Sequence, residues 1–145
     1  MDGARRAKIA IIGAGPVGLW LAVLIGRETA RINATSSGIR IDRLPHSPKI
    51  DIYERRKGKG QYGTRKFVLA ISTATQDLLN RCLSSDQGLQ SHHAFAPSCS
   101  INLIESLLFE EYKKYSRAGF GKIFFGARID NPEDLFYKYD VVIVA

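Results

Sequence analysis

The sequence predicts an α/β protein, a Rossmann-like parallel β-sheet with helices on both faces. Three observations carry that expectation. A short apolar run, Lys8–Ile12 (KIAII), leads at once into Gly13-Ala14-Gly15-Pro16-Val17-Gly18 and then into helix formers. Strand-like and helix-like patterns alternate after it. The last six residues, Asp140–Ala145 (DVVIVA), form a β-branched apolar run, as a strand buried on both faces requires. Parallel strands need crossovers, and the helical stretches between the strand-like ones supply them.

The elements follow in order. Met1–Ala7 is a polar, basic lead-in, and Lys8–Ile12 is the first strand. From Pro16 to about Glu28 the apolar residues and Pro16 in the first turn predict a buried helix. Thr29–Ser47 is rich in Thr, Ser, Gly and Pro and reads as a long loop, with a short extended piece at Ile39–Ile41. Lys49–Glu54 (KIDIYE) is the second strand, and Arg55–Lys66 a basic loop. Phe67–Ile71 is compatible with either a helix start or extended chain. Thr73–Leu83 reads as a helix capped by Ser72 or Thr73, with Leu78, Leu79 and Leu83 on one face. Ser84–Cys99 is a loop containing His92 and His93, which read as solvated residues. The strongest helix follows Ser100, with Ile101, Ile104, Leu107, Leu108, Glu111, Tyr112 and Tyr115 at three-four spacing and Gly119 and Gly121 beyond Arg117. Lys122–Phe125 is a third strand. Asn131-Pro132-Glu133-Asp134 starts a short helix running to about Tyr139, because Asn caps, Pro fits the first position and acids suit the positive end.

The 145 residues suffice for one domain with a single core. We therefore expect residues 1–145 to form one Rossmann-like domain, with a polar insertion at about 29–48; the glycine pattern and the resemblance taken up next make that an FAD/NAD(P)-binding domain. The net charge of +7 suits anionic partners. The basic cluster from Arg55 to Lys66 completes no nucleic-acid-binding motif, so no nucleic acid is expected. Two cysteines, Cys82 and Cys99, make neither a disulfide framework nor a metal site. No secretory signal or membrane span is visible, which points to a cytoplasmic location.

The glycine pattern carries the chemistry. Gly13 permits a tight turn, Gly15 lets a pyrophosphate approach the backbone, and Gly18 lets the helix pack on the strand. Pro16 and Val17 open the helix, whose N-terminus offers N–H groups and partial positive charge to phosphates. Glu54, closing the second strand, is placed to accept hydrogen bonds from both ribose hydroxyls and to repel a 2′-phosphate. It lies 36 residues after Gly18, against a usual separation of about 20, and the excess falls in the polar stretch after Thr29. Arg55 and Arg56 beside it are candidates for the adenine or the phosphates, or else form a solvated basic turn.

Lys8–Gly18, with Ala22 four residues after the last glycine, and Asp51–Arg55 (DIYER) resemble the ADP-binding segment of FAD-dependent oxidoreductases. Arg65 followed by FVLAIS and a helix carrying Leu78-Leu79 resembles the class A flavoprotein monooxygenases, with a MICAL-type or kynurenine-monooxygenase-type flavour. The resemblance implies FAD as cofactor, a small-molecule substrate in the complete enzyme, and contacts to FAD from Arg65. It also implies a flavin-side contact at Asn102, where the family commonly carries Arg or Gln, and an adenine contact around Arg128. Two features depart from the family. The β-meander before the last strand is absent or reduced to Arg128–Tyr139, and the short link there looks more like ferredoxin-reductase-type flavoproteins. The resemblance further implies that the second flavin-binding segment lies beyond residue 145, so the chain is expected to be a fragment and no catalytic side chain is nominated. The glycines and Glu54 also fit an NAD-dependent oxidoreductase. A non-catalytic Rossmann-like remnant is the alternative from outside the enzymes.

Overall fold

The computed structural model describes residues 5–37, 48–58, 67–83 and 98–145, with the backbone only for 33–37. Its core is a four-stranded parallel sheet built from β1 (Lys8–Ile12), β2 (Lys49–Glu54), β5 (Ile123–Phe125) and β6 (Val141–Val144). The strands lie in the order β5-β2-β1-β6. Numbered within the sheet this is 3-2-1-4, the order of a Rossmann sheet, and it reverses direction between β1 and β6. β1 pairs in register with Lys49–Tyr53 on one side and with Val141–Val144 on the other.

Strand alternation divides the core in two. Ile9 and Ile11, Ile50 and Ile52, Ile123 and Phe125, and Ile143 face one side. There α1 (Pro16–Ser37) and α3 (Ile101–Arg117) pack on them and on each other, joined by α2 (Thr73–Leu83). Leu19, Ala22, Val23, Ile104, Leu108 and Tyr112 are buried in this layer. Each large apolar side chain buried this way stabilises the fold by roughly 1.5–3 kcal/mol.

The other face carries Ala10, Tyr53, Leu135 and Tyr139. Among the described residues its cover is a 3-10 turn, Pro132–Leu135, and the chain around it, where the sequence led us to expect a second helical layer. The cap is as expected: the Asn131 side chain accepts from Glu133 N–H. The turn stays 3-10 because its N–H groups bond three residues back, Asp134 to the Asn131 carbonyl and Phe136 to that of Glu133. Tyr139 donates to buried Asp51 at 2.8 Å and shares a 2.8 Å hydrogen bond with the Tyr53 hydroxyl. The Tyr53 ring stacks on Phe124 at 4.9 Å. Burial and these partners push the Tyr139 hydroxyl well above its ordinary pKa.

Four local expectations change. First, the loop expected from Thr29 is helix as far as Ser37. No Gly or Pro falls between Gly26 and Gly38, the Thr29 hydroxyl satisfies itself on the Ile25 carbonyl, and Glu28 pairs with Arg31 one turn on. The rest of that stretch, including Ile39–Ile41, lies outside the described residues. Second, Phe67–Ile71 resolves as extended: β3 (Val68–Ala70) pairs antiparallel with β4 (Ser98–Ser100). Third, Cys99 therefore sits in a strand, while His92 and His93 lie outside the described residues. Fourth, Leu78 is 48% exposed, and the buried face of α2 is Leu79, Cys82 and Leu83. Ser72 caps α2 by accepting from Thr75 N–H, and Ser100 caps α3 by accepting from Leu103 N–H. Within the described residues no helix is long and apolar enough to cross a membrane.

Candidate functional site

A crevice of about 530 Å³ opens where β1, β2 and β6 end together. This is the point at which the strand order reverses, the general ligand position of open α/β sheets. Its floor is the β1–α1 turn. Gly13 stands at φ +109°, a conformation that L side chains rarely adopt. A Cβ on Gly18 would collide with the Gly13 carbonyl and lie 3.2 Å from Ile11 Cγ2, so Gly18 sets how closely α1 can lie on β1. Gly15 is different. A Cβ there would meet one atom within 4 Å, Glu105 Oε1 at 3.8 Å, so the rest of its surroundings is open crevice.

Of the residues singled out in the sequence, Gly13, Gly15, Pro16, Val17, Gly18, Glu54, Arg55 and Arg128 all line this one crevice. Asn102, on the first turn of α3, is not among its lining residues. Arg65 lies outside the described residues. Arg128 pairs with Asp130 at 2.6 Å on the rim, with both side chains about three-quarters exposed. Arg55 is exposed beside it.

Glu54 is held more elaborately than the sequence suggested. Its carboxylate is almost fully buried, and three donors reach it. Ala14 N–H lies 2.8 Å from Oε2, Arg56 N–H 2.8 Å from Oε1, and Arg56 Nη2 3.0 Å from Oε2. Burial by itself raises the carboxyl pKa. The hydrogen bonds from the Arg56 side chain and backbone and from Ala14, with the Arg56 charge, outweigh it and hold Glu54 below its ordinary value.

Arg56 is the centre of this arrangement. Nη1 lies 3.1 and 3.2 Å from the two oxygens of Glu105, and Nη2 also donates to the Ala14 carbonyl at 3.0 Å. The turn is thus gripped on both sides of Ala14, at its N–H by Glu54 and at its C=O by Arg56. Burial lowers the Arg56 pKa and the two carboxylates raise it, with a net rise that keeps the charge fixed. Glu105 was not anticipated as part of the site. The signal available was an acid set between Ile104 and Leu108 on the apolar face of α3, where a fully buried carboxylate demands a partner.

A second cavity, about 240 Å³ and mostly apolar, touches the first through Pro16 and Val17. Trp20, Leu69, Ile71, Leu79, Ile104 and Leu108 bound it, with Ser72 and Thr75 at its edge.

The strand order and the crevice at its reversal define a Rossmann-like α/β fold, and the comparisons with solved structures agree with that fold. The chain aligns with p-nitrophenol 4-monooxygenase PnpA from Pseudomonas putida at a TM-score of 0.51 and 14% identity, over 84% of this chain and 32% of PnpA. The flavin-dependent monooxygenase PieE, solved with FAD and substrate, aligns at 0.46 and 17% over 83% of this chain and 24% of its own. Aklavinone-11 hydroxylase, solved with FAD and aklavinone, aligns at 0.47 and 18% over 83% of this chain and 25% of its own. The chain shares the fold of the aligned part of PnpA, and it spans a third or less of the length of these structures. No protein-family model matches the sequence, and no curated protein matches it.

Proposed function

We propose that this chain holds the ADP part of FAD as the nucleotide-binding segment of a flavin-dependent oxidoreductase of the monooxygenase kind. The observation that carries the reading is the convergence of the glycine turn and Glu54 on one crevice at the switch point of the sheet. Gly15 and the first turn of α1 would receive the diphosphate, Glu54 the adenosine ribose, and Arg55 and Arg128 the adenine end. FAD, when bound, supplies the redox chemistry, and these residues bind and orient it. The preference for FAD over NAD rests on the later sequence positions that resemble flavoprotein monooxygenases, Arg65 with the run FVLAIS and the helix opened by Ser100-Ile101-Asn102. The small-molecule substrate would be held by parts of the enzyme outside these 145 residues.

Thermal unfolding with and without nucleotide tests the reading. A ligand selective for the folded state at a hundred times its Kd adds about 2.7 kcal/mol. ADP and FAD are expected to raise the melting temperature by several degrees. A melting temperature indifferent to saturating ADP, FAD and NAD alike refutes the proposal. NAD outcompeting FAD for the site would shift the reading to an NAD-dependent oxidoreductase.

A further inference from the structure

The hydrogen bonds around Glu54 limit what it can offer a ligand. An ionised carboxylate has about four acceptor positions. Ala14 N–H and Arg56 Nη2 take two on Oε2, and Arg56 N–H takes one on Oε1. One position remains, on Oε1. Arg56 is not free to swing aside and open another. Its side chain is 11% exposed, and its guanidinium is bound to both oxygens of Glu105, whose side chain is fully buried on α3. Moving it would leave a buried carboxylate without its cation, a strongly unfavourable change. It would also release the Ala14 carbonyl.

Resting on the nucleotide-binding reading above, we propose that Arg56, pinned by Glu105, is a specificity-determining residue. It leaves Glu54 able to accept from one ribose hydroxyl of an adenine ribonucleotide, not from two. A carboxylate at this position without such a clamp has room for both hydroxyls. Here the pair from β2 and α3 has already claimed the second place.

Calorimetric titration of the full chain with ADP, 2′-deoxy-ADP and 3′-deoxy-ADP decides the matter. One deoxy analogue is expected to bind about tenfold or more weakly than ADP, the loss of one hydrogen bond to a charged acceptor. The other is expected to match ADP within about twofold. If both analogues are weakened, or neither, the inference is overturned while the nucleotide-binding reading stands. If ADP itself does not bind, that reading falls and the inference with it. The double variant Arg56→Met/Glu105→Gln removes the clamp without leaving the Glu105 charge buried and unpaired, and Glu54 keeps its hydrogen bonds from Ala14 N–H and from the backbone N–H at position 56. It opens a place on Oε2, and both analogues should then bind more weakly than ADP. A folded double variant that keeps the one-analogue pattern overturns the role of Arg56. Should that variant fail to fold, the titrations of the unaltered chain decide the proposal by themselves.

Discussion

Two glycines of one turn, Gly15 and Gly18, should fail in opposite ways, and that contrast tests the site directly. At Gly15 a methyl group meets Glu105 Oε1 at 3.8 Å, an ordinary contact, and the backbone is not in the left-handed region. Gly15→Ala should therefore leave the free protein as stable as before, or stabilise it by about 0.4–1 kcal/mol through the unfolded chain. Yet the methyl occupies the open side of the turn, where a diphosphate must come within hydrogen-bonding distance of the backbone. Losing one or two charge-assisted hydrogen bonds at about 1.5–3 kcal/mol each lowers ADP affinity by roughly tenfold or more. At Gly18 the methyl runs into the Gly13 carbonyl and Ile11. Gly18→Ala should destabilise by about 1–3 kcal/mol and lower the melting temperature by several degrees before any ligand is added. Differential scanning calorimetry and ADP titration measure both variants. The reasoning is refuted if Gly15→Ala binds ADP within about twofold of the unaltered chain, or if it loses as much thermal stability as Gly18→Ala.

Three further outcomes are expected. Glu54 keeps a depressed pKa in the folded protein, so below its ordinary value near 4.5 the unfolded chain takes up the proton first. Stability should thus be present above that pH and be lost as acidity increases through the folded value. Denaturant midpoints from pH 7 to 3 should show the fall, and Glu54→Gln should flatten it; an equal slope in both proteins contradicts the assignment. Tyr139→Phe removes the hydroxyl shared by Asp51 and Tyr53 and should cost about 1–3 kcal/mol in urea unfolding, with ADP affinity unchanged. Ser100→Ala removes the side-chain cap of α3 and should cost about 0.5–2 kcal/mol by the same measurement.

The parts of the fold that were legible in the sequence obey short-range rules. β1, the turn at Gly13–Gly18, the start of α1, and β2 ending on Glu54 lie where strand run, glycine pattern and strand-end acid place them. The caps at Ser100 and Asn131 are equally local. What misled was composition. Thr29, Thr35, Ser36 and Ser37 read as loop residues, yet nothing among them breaks a helix, and α1 continues through them. Leu78 misled because the buried stripe of α2 is Leu79, Cys82 and Leu83, at the spacing i, i+3, i+4, and Leu78 lies to the solvent side of it. The Arg56–Glu105 pair was illegible because its partners stand 49 residues apart on different elements. No spacing rule joins them; only the packing of α3 beside the turn does.

The double grip on both sides of Ala14 has a consequence for how the crevice receives anything. A glycine-rich turn has many conformations open to it, and one that had to be arrested on association would subtract that entropy from the affinity. Here the arrest is completed while the chain collapses, by a frame reaching from β2 through Arg56 into α3. A guest meets a mould that has already set, and little of its interaction energy is diverted into setting it.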